Sequence, residues 1–572
     1  MLKLLSPDGE TWGCLDAEVR KRYSEAMFHA HPPKPRSQSR SQPRSQTGFE
    51  PGFKPDTPSC ARWWGQVAYR SQVVFLMICC GTWSHAQDLS PTEPPIPIPI
   101  ARDGAATAFM DAVEAHMDYV TEQSHDHLGP QTTPMWLSTI DLRTNSLPEP
   151  LLPSSTRWKG ILLSAPGANL YWDQPTILAA FELSKRTGCK CYSDAASAYI
   201  TSFLSACSTS KQTSCIDPRF YYDVKLDQSV DKTETLASCS PYTPAWETTW
   251  AADKKLARQQ IQAFIHLRTA KPSSNDSVPQ LAGETTGTPN LTIESEAALI
   301  ASLCWLAQRD TLQQTPLIQQ ALSLAQSRIA RRDRTTGLVP TDCNLPKQAN
   351  NTSSIAIGAW ANVLLWAADT TGEMEFQTIA EQVLHAWLSA GFDAQQQRYY
   401  QQLECETGHP VQEQMTGNYP EDLPVSSHQQ ISIFAHASRP VHQSPLRMAE
   451  ACLSLHEATG DQLSKQAIER WINIIKQELP TDKMQGGYAD DYGRAIHFLV
   501  RASTVLNNPK YRILAQNIAK EAMKKLYVPK MGMFRSHLGE NRCDSADGPG
   551  LLLLALMYLE GDDPTRASSL QF

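Results

Sequence analysis

A turn that recurs at the same place in successive helix pairs is what most limits how this chain can fold. Thr187-Gly188, Thr371-Gly372 and Thr459-Gly460 each separate two stretches with helically spaced apolar residues, and Asn507-Asn508-Pro509 does the same farther on. A glycine or asparagine just past a helix takes up the left-handed backbone that ends it, and glycine does so without a Cβ penalty. The residues after the turn repeat as well: Gly188, Tyr192 and Ala196 share their spacing with Gly372, Phe376 and Ala380, and with Asn507, Tyr511 and Ala515. An aromatic followed one helical turn later by a small residue lets the return helix lie close to its outgoing partner. The spacing therefore predicts hairpins 174–184 with 192–207, 355–369 with 376–390, 446–458 with 463–478, and 494–506 with 511–526.

Other stretches extend the series. Residues 295–308 and 317–329 keep the lengths without the glycine turn, 105–123 is amphipathic through Phe109, Val113, Met117 and Val120, and 246–267 supplies more helix. The last helix, 548–559, is almost wholly apolar and must be buried. An open superhelical array needs a uniform period and polar end caps. Here the period is irregular, long loops interrupt the same ends of successive hairpins, and the final helix cannot serve as a cap. The expectation is an all-α chain, an (α/α)6 toroid of consecutive helical hairpins spanning 105–572, with the last helix near the first.

The first hundred residues read differently. Residues 1–61 are a disordered or over-extended N-terminus, since PPKPRSQSRSQPRSQ at 32–46 offers too little apolar surface to offset ordering. Residues 62–86 have the basic, apolar and small-residue order of a secretory signal peptide, with cleavage expected after Ala86. Its apolar run is shorter than the roughly 20 residues a bilayer span needs, so no stable membrane span is expected after cleavage. Residues 87–104 form a Pro-rich linker. The expected location is outside the cytoplasm, periplasmic or extracellular.

The net charge of −8, with mixed signs through the body, argues against a nucleic-acid partner. Ten of the 14 cysteines follow Ala86, but no spacing among them is diagnostic of a metal or of a pairing. Cys189-Lys190-Cys191 lacks the second pair a zinc knuckle needs, and His125-Asp126-His127 is read as a solvated turn, so neither a metal nor a cofactor is expected.

In a toroid of hairpins the loops at one end line a cleft, so chemistry is sought just ahead of the inner helices. The stretch from Gly487 to His497 places Tyr488, Tyr492, Arg494 and His497 directly before an apolar run. A second crowded loop, 533–547, carries Arg535, His537, Glu540, Arg542, Asp544 and Asp547, more ionisable groups than helix capping requires. Tyr488, Tyr492, Arg494, His497, Arg535 and His537 are the catalytic candidates. Trp172 with Asp173, Tyr222 with Asp223, and Trp246 with Glu247 pair aromatics with carboxylates, as does sugar recognition, and Glu294 opens another helix. These seven are the substrate-binding candidates. The competing readings are a hydrophobic staple and capping Asp at 172–173, a core aromatic cluster at 220–222, and dipole complements at Glu294 and Glu296.

Tyr171-Trp172-Asp173-Gln174-Pro175, Pro244-Ala245-Trp246-Glu247, Gly337-Leu338-Val339-Pro340, Gly487-Tyr488-Ala489, Tyr492-Gly493-Arg494, Ile496 to Ala502 and Asp547-Gly548 together resemble the six-hairpin glycosidase-like superfamily, and within it exported pectate-lyase-like bacterial proteins. The resemblance covers about 136–560 and implies the toroid fold and a glycan substrate. Hydrolases, lyases and epimerases all occur in that superfamily. For a uronate glycan, β-elimination needs a base at C5, an acid at the leaving oxygen and a cation on the carboxylate, roles open to Tyr488 or Tyr492, His497 or His537, and Arg494 or Arg535. Hydrolysis by two carboxylates, and a non-catalytic glycan-binding or scaffold protein, are the alternatives.

Overall fold

The computed structural model describes residues 109–148, 167–207, 214–217, 220–231, 243–269, 291–341, 350–411, 433, 444–479 and 487–561. The chain divides into two units, Met1–Ser90 and Pro91–Phe572, and every described residue lies in the second. The expected disordered segment, signal peptide and linker fall outside the described residues.

Six consecutive hairpins are present among the described residues. They pair α2 (Leu170–Thr187) with α3 (Cys191–Cys207), α4 (Trp246–Ala252) with α5 (Lys254–Thr269), and α6 (Ile293–Ala307) with α7 (Gln314–Ile329). They continue with α8 (Ser354–Thr371) and α9 (Met374–Ala390), α10 (Leu446–Thr459) and α11 (Gln462–Glu478), and α12 (Ala489–Val505) and α13 (Pro509–Leu526). The turn glycines end their helices as expected, with φ of 74° at Gly188, 75° at Gly372 and 73° at Gly460, and each N–H bonds a carbonyl of the last turn. A Cβ at any of the three would meet nothing within 4 Å, so backbone conformation alone selects glycine there. The aligned small residues Ala196, Ala380 and Ala515 are fully buried between helices.

The first helix of each hairpin faces inward. From Ser295 to Ala307 in α6, and from Ser354 to Ala368 in α8, every residue is buried. The inner helices contact one another in chain order: Gln174 Oε1 of α2 accepts from the Ala245 N–H before α4, and Trp246 Nε1 donates to Ser302 Oγ of α6. Then α6 packs on α8, α8 on α10, and α10 on α12. The last helix, α14 (Pro549–Glu560), packs between α12 and α2 and closes the ring, with α1 (Phe109–Gln123) against it. The all-α toroid expected from the hairpin repeat is therefore present, and the final apolar helix lies beside the first as expected.

Two local readings change. The stretch 246–267 is not one helix: Asp253 has extended backbone (φ −155°), bends the chain, and caps α5 by accepting the N–H groups of Lys255 and Leu256. The first hairpin begins at Leu170, so Pro175 lies inside α2 and withdraws the N–H that Tyr171 O would accept. The Gln174 side-chain amide fills that place, donating to Tyr171 O at 2.7 Å.

Short strands dress the helix ends. The segment ahead of α2 and the loop ahead of α14 are sewn together by β3 (Thr139–Asp141) and β13 (Arg542–Asp544), antiparallel with Cys543 opposite Ile140. A three-stranded sheet joins β4 (Gly167–Ala168), β5 (Phe220–Asp223) and β6 (Gln228–Asp231), and β11 (Tyr527–Val528) pairs with β12 (Met533–Phe534). These strands hold the loops that carry the candidate chemistry.

Candidate functional site

The N-terminal ends of α2, α12 and α14 meet where the loop after β12 crosses them. Asp173, in the first turn of α2, is buried and its Oδ2 accepts from Ser138 Oγ (2.6 Å), Tyr199 OH (2.5 Å) and Asn169 N (3.2 Å). Burial raises its pKa to about 6, against hydrogen bonds from Ser138, Ser545 and Tyr199 that favour the ion. The 3₁₀ turn Ser545–Asp547 adjoins it, tied down by Ser545 N–H to Ser138 O. Gly548 follows with φ of +78°, pressed so close to α12 that an added Cβ would lie 2.7 Å from Asp490 Cβ. Asp173, Asp547 and Asp490 thus lie along one belt.

Asp490 and Arg494, one turn apart on α12, form an ion pair of 2.6 Å with both side chains essentially unexposed. Burial raises the Asp490 pKa, opposed by Arg494 and Arg447, and its Oδ2 accepts no hydrogen bond among the described residues. Asp491 caps the same helix by accepting the Tyr488 N–H at 2.9 Å. Tyr488 and His537 form an isolated antiparallel bridge, their rings 4.7 Å apart and tilted 34°, and Tyr488 OH donates to Glu540 Oε1 at 3.1 Å. His537 Nδ1 accepts the Gly539 N–H at 3.1 Å, so a neutral ring carries its proton on Nε2.

Arg535 differs from Arg542, Arg328 and Arg501. Arg542 is held by Glu540 (2.7 Å), Asp544 (2.6 Å) and Asp547 (2.8 Å), Arg328 by Glu296 (2.9 Å), and Arg501 by Glu450 (2.6 Å) and Glu457 (2.9 Å). Arg535 is only 1% exposed, yet no carboxylate pairs with it among the described residues. Its Nη1 donates to Leu538 O at 3.4 Å, its Nε has no acceptor among the described residues, and burial lowers its pKa.

The remaining candidates are distributed around the ring wall. Tyr492 is buried and donates to Glu521 Oε1 (2.8 Å) on the outer helix α13; burial and then Glu521 raise its pKa. His497 is fully buried, its Nδ1 3.0 Å from Glu450 Oε1 and its ring against Tyr558. Burial opposes ionisation of Glu450, but His497 and Arg501 together hold it below the usual carboxylate range. Burial also lowers His497 against the pull of Glu450, so the permanent charge on Arg501 is the partner that keeps the carboxylate.

Trp172 is buried edge-on to Tyr171, and Trp246 is buried edge-on to Phe264, so both rings pack against protein on the faces expected for a sugar. Tyr222 and Asp223 are buried in β5, where Asp223 Oδ1 caps the turn by accepting from Lys225 and Leu226. Glu247 is exposed in the first turn of α4, yet protein surrounds it closely enough to raise its pKa. Glu294 is half-buried at the start of α6, while its neighbour Glu296 is the buried partner of Arg328.

The structure therefore gathers Tyr488, Arg535 and His537 with Asp173 and Arg494 at one end of the ring, and turns Tyr492 and His497 into its wall. Glu450, Tyr199 and Ser138 were not singled out by sequence. For Glu450 a signal exists: Arg447, Glu450 and Ser454 recur at helical spacing on a face whose other members are apolar and buried.

No protein-family model and no curated protein matches the chain. Solved structures with some likeness include an inactive variant of the α-1,6-mannanase GH76A of Salegentibacter sp. HEL1_6 in complex with an α-1,6-linked mannose tetrasaccharide (10% identity, covering 80% of this chain and 100% of that one, TM-score 0.42). A D-mannose isomerase gives 9% identity over 79% of this chain and 97% of that one, with a TM-score of 0.43. The unsaturated glucuronyl hydrolase of Bacillus sp. GL1 gives 11% over 55% and 83%, with a TM-score of 0.36. At these values the likeness says nothing about chemistry, which rests on the residues themselves.

Proposed function

We propose that the chain is a carbohydrate-active enzyme that cleaves uronate-containing glycans by β-elimination, acting outside the cytoplasm after export through residues 62–86. The carrying observation is Arg535, a buried guanidinium without a carboxylate partner among the described residues, two positions before His537. A buried cation of this kind suits an anion brought by the substrate. Its charge on the uronate carboxylate would acidify the C5 proton. Tyr488 would take that proton while passing its own phenolic proton to Glu540, as the C5–H and C4–O bonds break and the C4–C5 double bond forms. The Nε2–H of His537 would hydrogen-bond the leaving oxygen, which takes its proton from water.

One observation favours a second reading, hydrolysis. Asp173, Asp490 and Asp547 are buried carboxyls with raised pKa values in a single belt, as a general acid requires. One assay separates the readings. The protein is incubated with acidic and neutral glycans while absorbance at about 235 nm, where an unsaturated uronate absorbs, and reducing ends are followed. Both signals together support elimination, and reducing ends alone support hydrolysis. Arg535→Gln should lower turnover of acidic glycans by about 10²–10³ if the guanidinium stabilises developing charge. Neither signal on any glycan, with binding retained, would leave a glycan-binding protein.

A further inference from the structure

Away from the ring end, three ligand-bearing side chains converge between two outer helices. Glu381 and His385 are one turn apart on α9, and Asp461 is the N-cap of α11 in the next hairpin. One ligand atom from each lies within 4.8 Å of the other two. We propose that Glu381, His385 and Asp461 form a divalent transition-metal site, suited to Zn²⁺ or Mn²⁺, that clips α9 to α11.

Three features carry the proposal. The i, i+4 spacing on α9 sets a carboxylate and an imidazole on one helix face, which is how a helix offers two ligands to one ion. Asp461 comes already oriented: Oδ2 accepts the Ser464 N–H at 2.6 Å, leaving Oδ1 directed at His385 Nε2, 3.1 Å away. Its own backbone carbonyl is held by His456 Nδ1 at 2.9 Å, so the residue is fixed from behind as metal ligands usually are. Nε2 of His385 is itself shut off from solvent, while all three side chains remain only half-buried, which leaves an ion a path in. A protonated His385 balances one carboxylate, whereas a divalent cation balances both. One imidazole with two carboxylates fits zinc or manganese better than calcium, which takes oxygen ligands alone.

Sequence gives no warning of this site, because the Glu-x-x-x-His pair and Asp461 are far apart in the chain and only the packing of α9 on α11 unites them. The test uses the folded chain stripped with EDTA and titrated calorimetrically with Zn²⁺, then Mn²⁺, with Ca²⁺ as control. The same titration is run on Glu381→Gln, His385→Asn and Asp461→Asn. Asparagine still caps a helix, so Asp461→Asn removes charge while keeping the cap. The expected result is one saturable transition-metal site, a higher Tm with metal, and affinity at least about tenfold weaker in each variant, since even second-shell losses cost roughly 10–100-fold. Absence of saturable binding, or binding that all three variants leave unchanged, overturns the site and leaves His385 and Asp461 as an ordinary ion pair. Calcium binding as tight as that of zinc and manganese, and unaffected by His385→Asn, overturns it equally.

Discussion

His116 offers a direct test of how the site loop is held. It lies on α1, 1% exposed, and its Nδ1 accepts the Phe534 N–H of β12 at 3.0 Å. The ring must be neutral to accept that bond, and burial lowers its pKa to about 3. In the unfolded chain the same group titrates near 6.5. The folded form is thus the one that refuses the proton, so this contribution to stability is complete above pH 6.5 and shrinks as pH falls from 6.5 toward 3. Each pH unit in that window costs about 1.4 kcal/mol, so roughly 2 kcal/mol is lost between pH 6.5 and 5. His116→Gln retains an acceptor and cannot take up a proton. Urea unfolding of both proteins at pH 7 and pH 5 should show the wild type losing about 2 kcal/mol more than the variant over that interval. Because Phe534 immediately precedes Arg535, amide exchange at 533–537 should also quicken on acidification in the wild type alone. Parallel pH dependence in the two proteins would refute the assignment of a neutral, hydrogen-bonded His116.

Two further perturbations test the ring itself. Glu450→Ala leaves His497 without its carboxylate and Arg501 with only Glu457, whose side chain is 38% exposed, and should cost about 3–5 kcal/mol by chemical denaturation. A loss below about 1 kcal/mol would mean Glu457 alone compensates the guanidinium. Gly493→Ala places a methyl 2.7 Å from Leu552 N and 2.8 Å from Leu551 C, backbone atoms of α14 that cannot swing aside, and should destabilise by about 1–3 kcal/mol. An unchanged Tm would show that α12 and α14 slide apart freely.

The hairpin repeat was legible because it is local. A glycine after a threonine, an aromatic four residues on and a small residue after that are all set by backbone geometry and by contacts within one turn, and Gly188, Gly372 and Gly460 adopt the backbone they imply. Burial of the polar groups was not legible. Arg494 and His497 read as rim residues because they stand near a glycine pair, whereas α12 starts at Ala489 and carries both inward. What makes that tolerable is a partner, and for His497 that partner is Glu450, 47 positions earlier. Trp172 and Trp246 are buried for a similar reason, since an aromatic before a helix packs on whatever the ring brings over it. Pro175 misled about a boundary because the compensating donor, Gln174, is a side chain.

Closure through α14 has a consequence for how the chain comes to be. Arg186 on α2 donates to Met557 O across a separation of 371 residues, and the backbone of Gly550 comes so near α2 that a Cβ there would lie 2.3 Å from Thr176 N. The inner face of the first hairpin is therefore finished by a segment made 371 residues later. At about 5–20 residues per second that face waits roughly 20–75 s for its cover, an apolar surface that would otherwise associate with other chains. A chain built in this way leaves that face uncovered until α14 has been made, which gives time for another protein to hold it open.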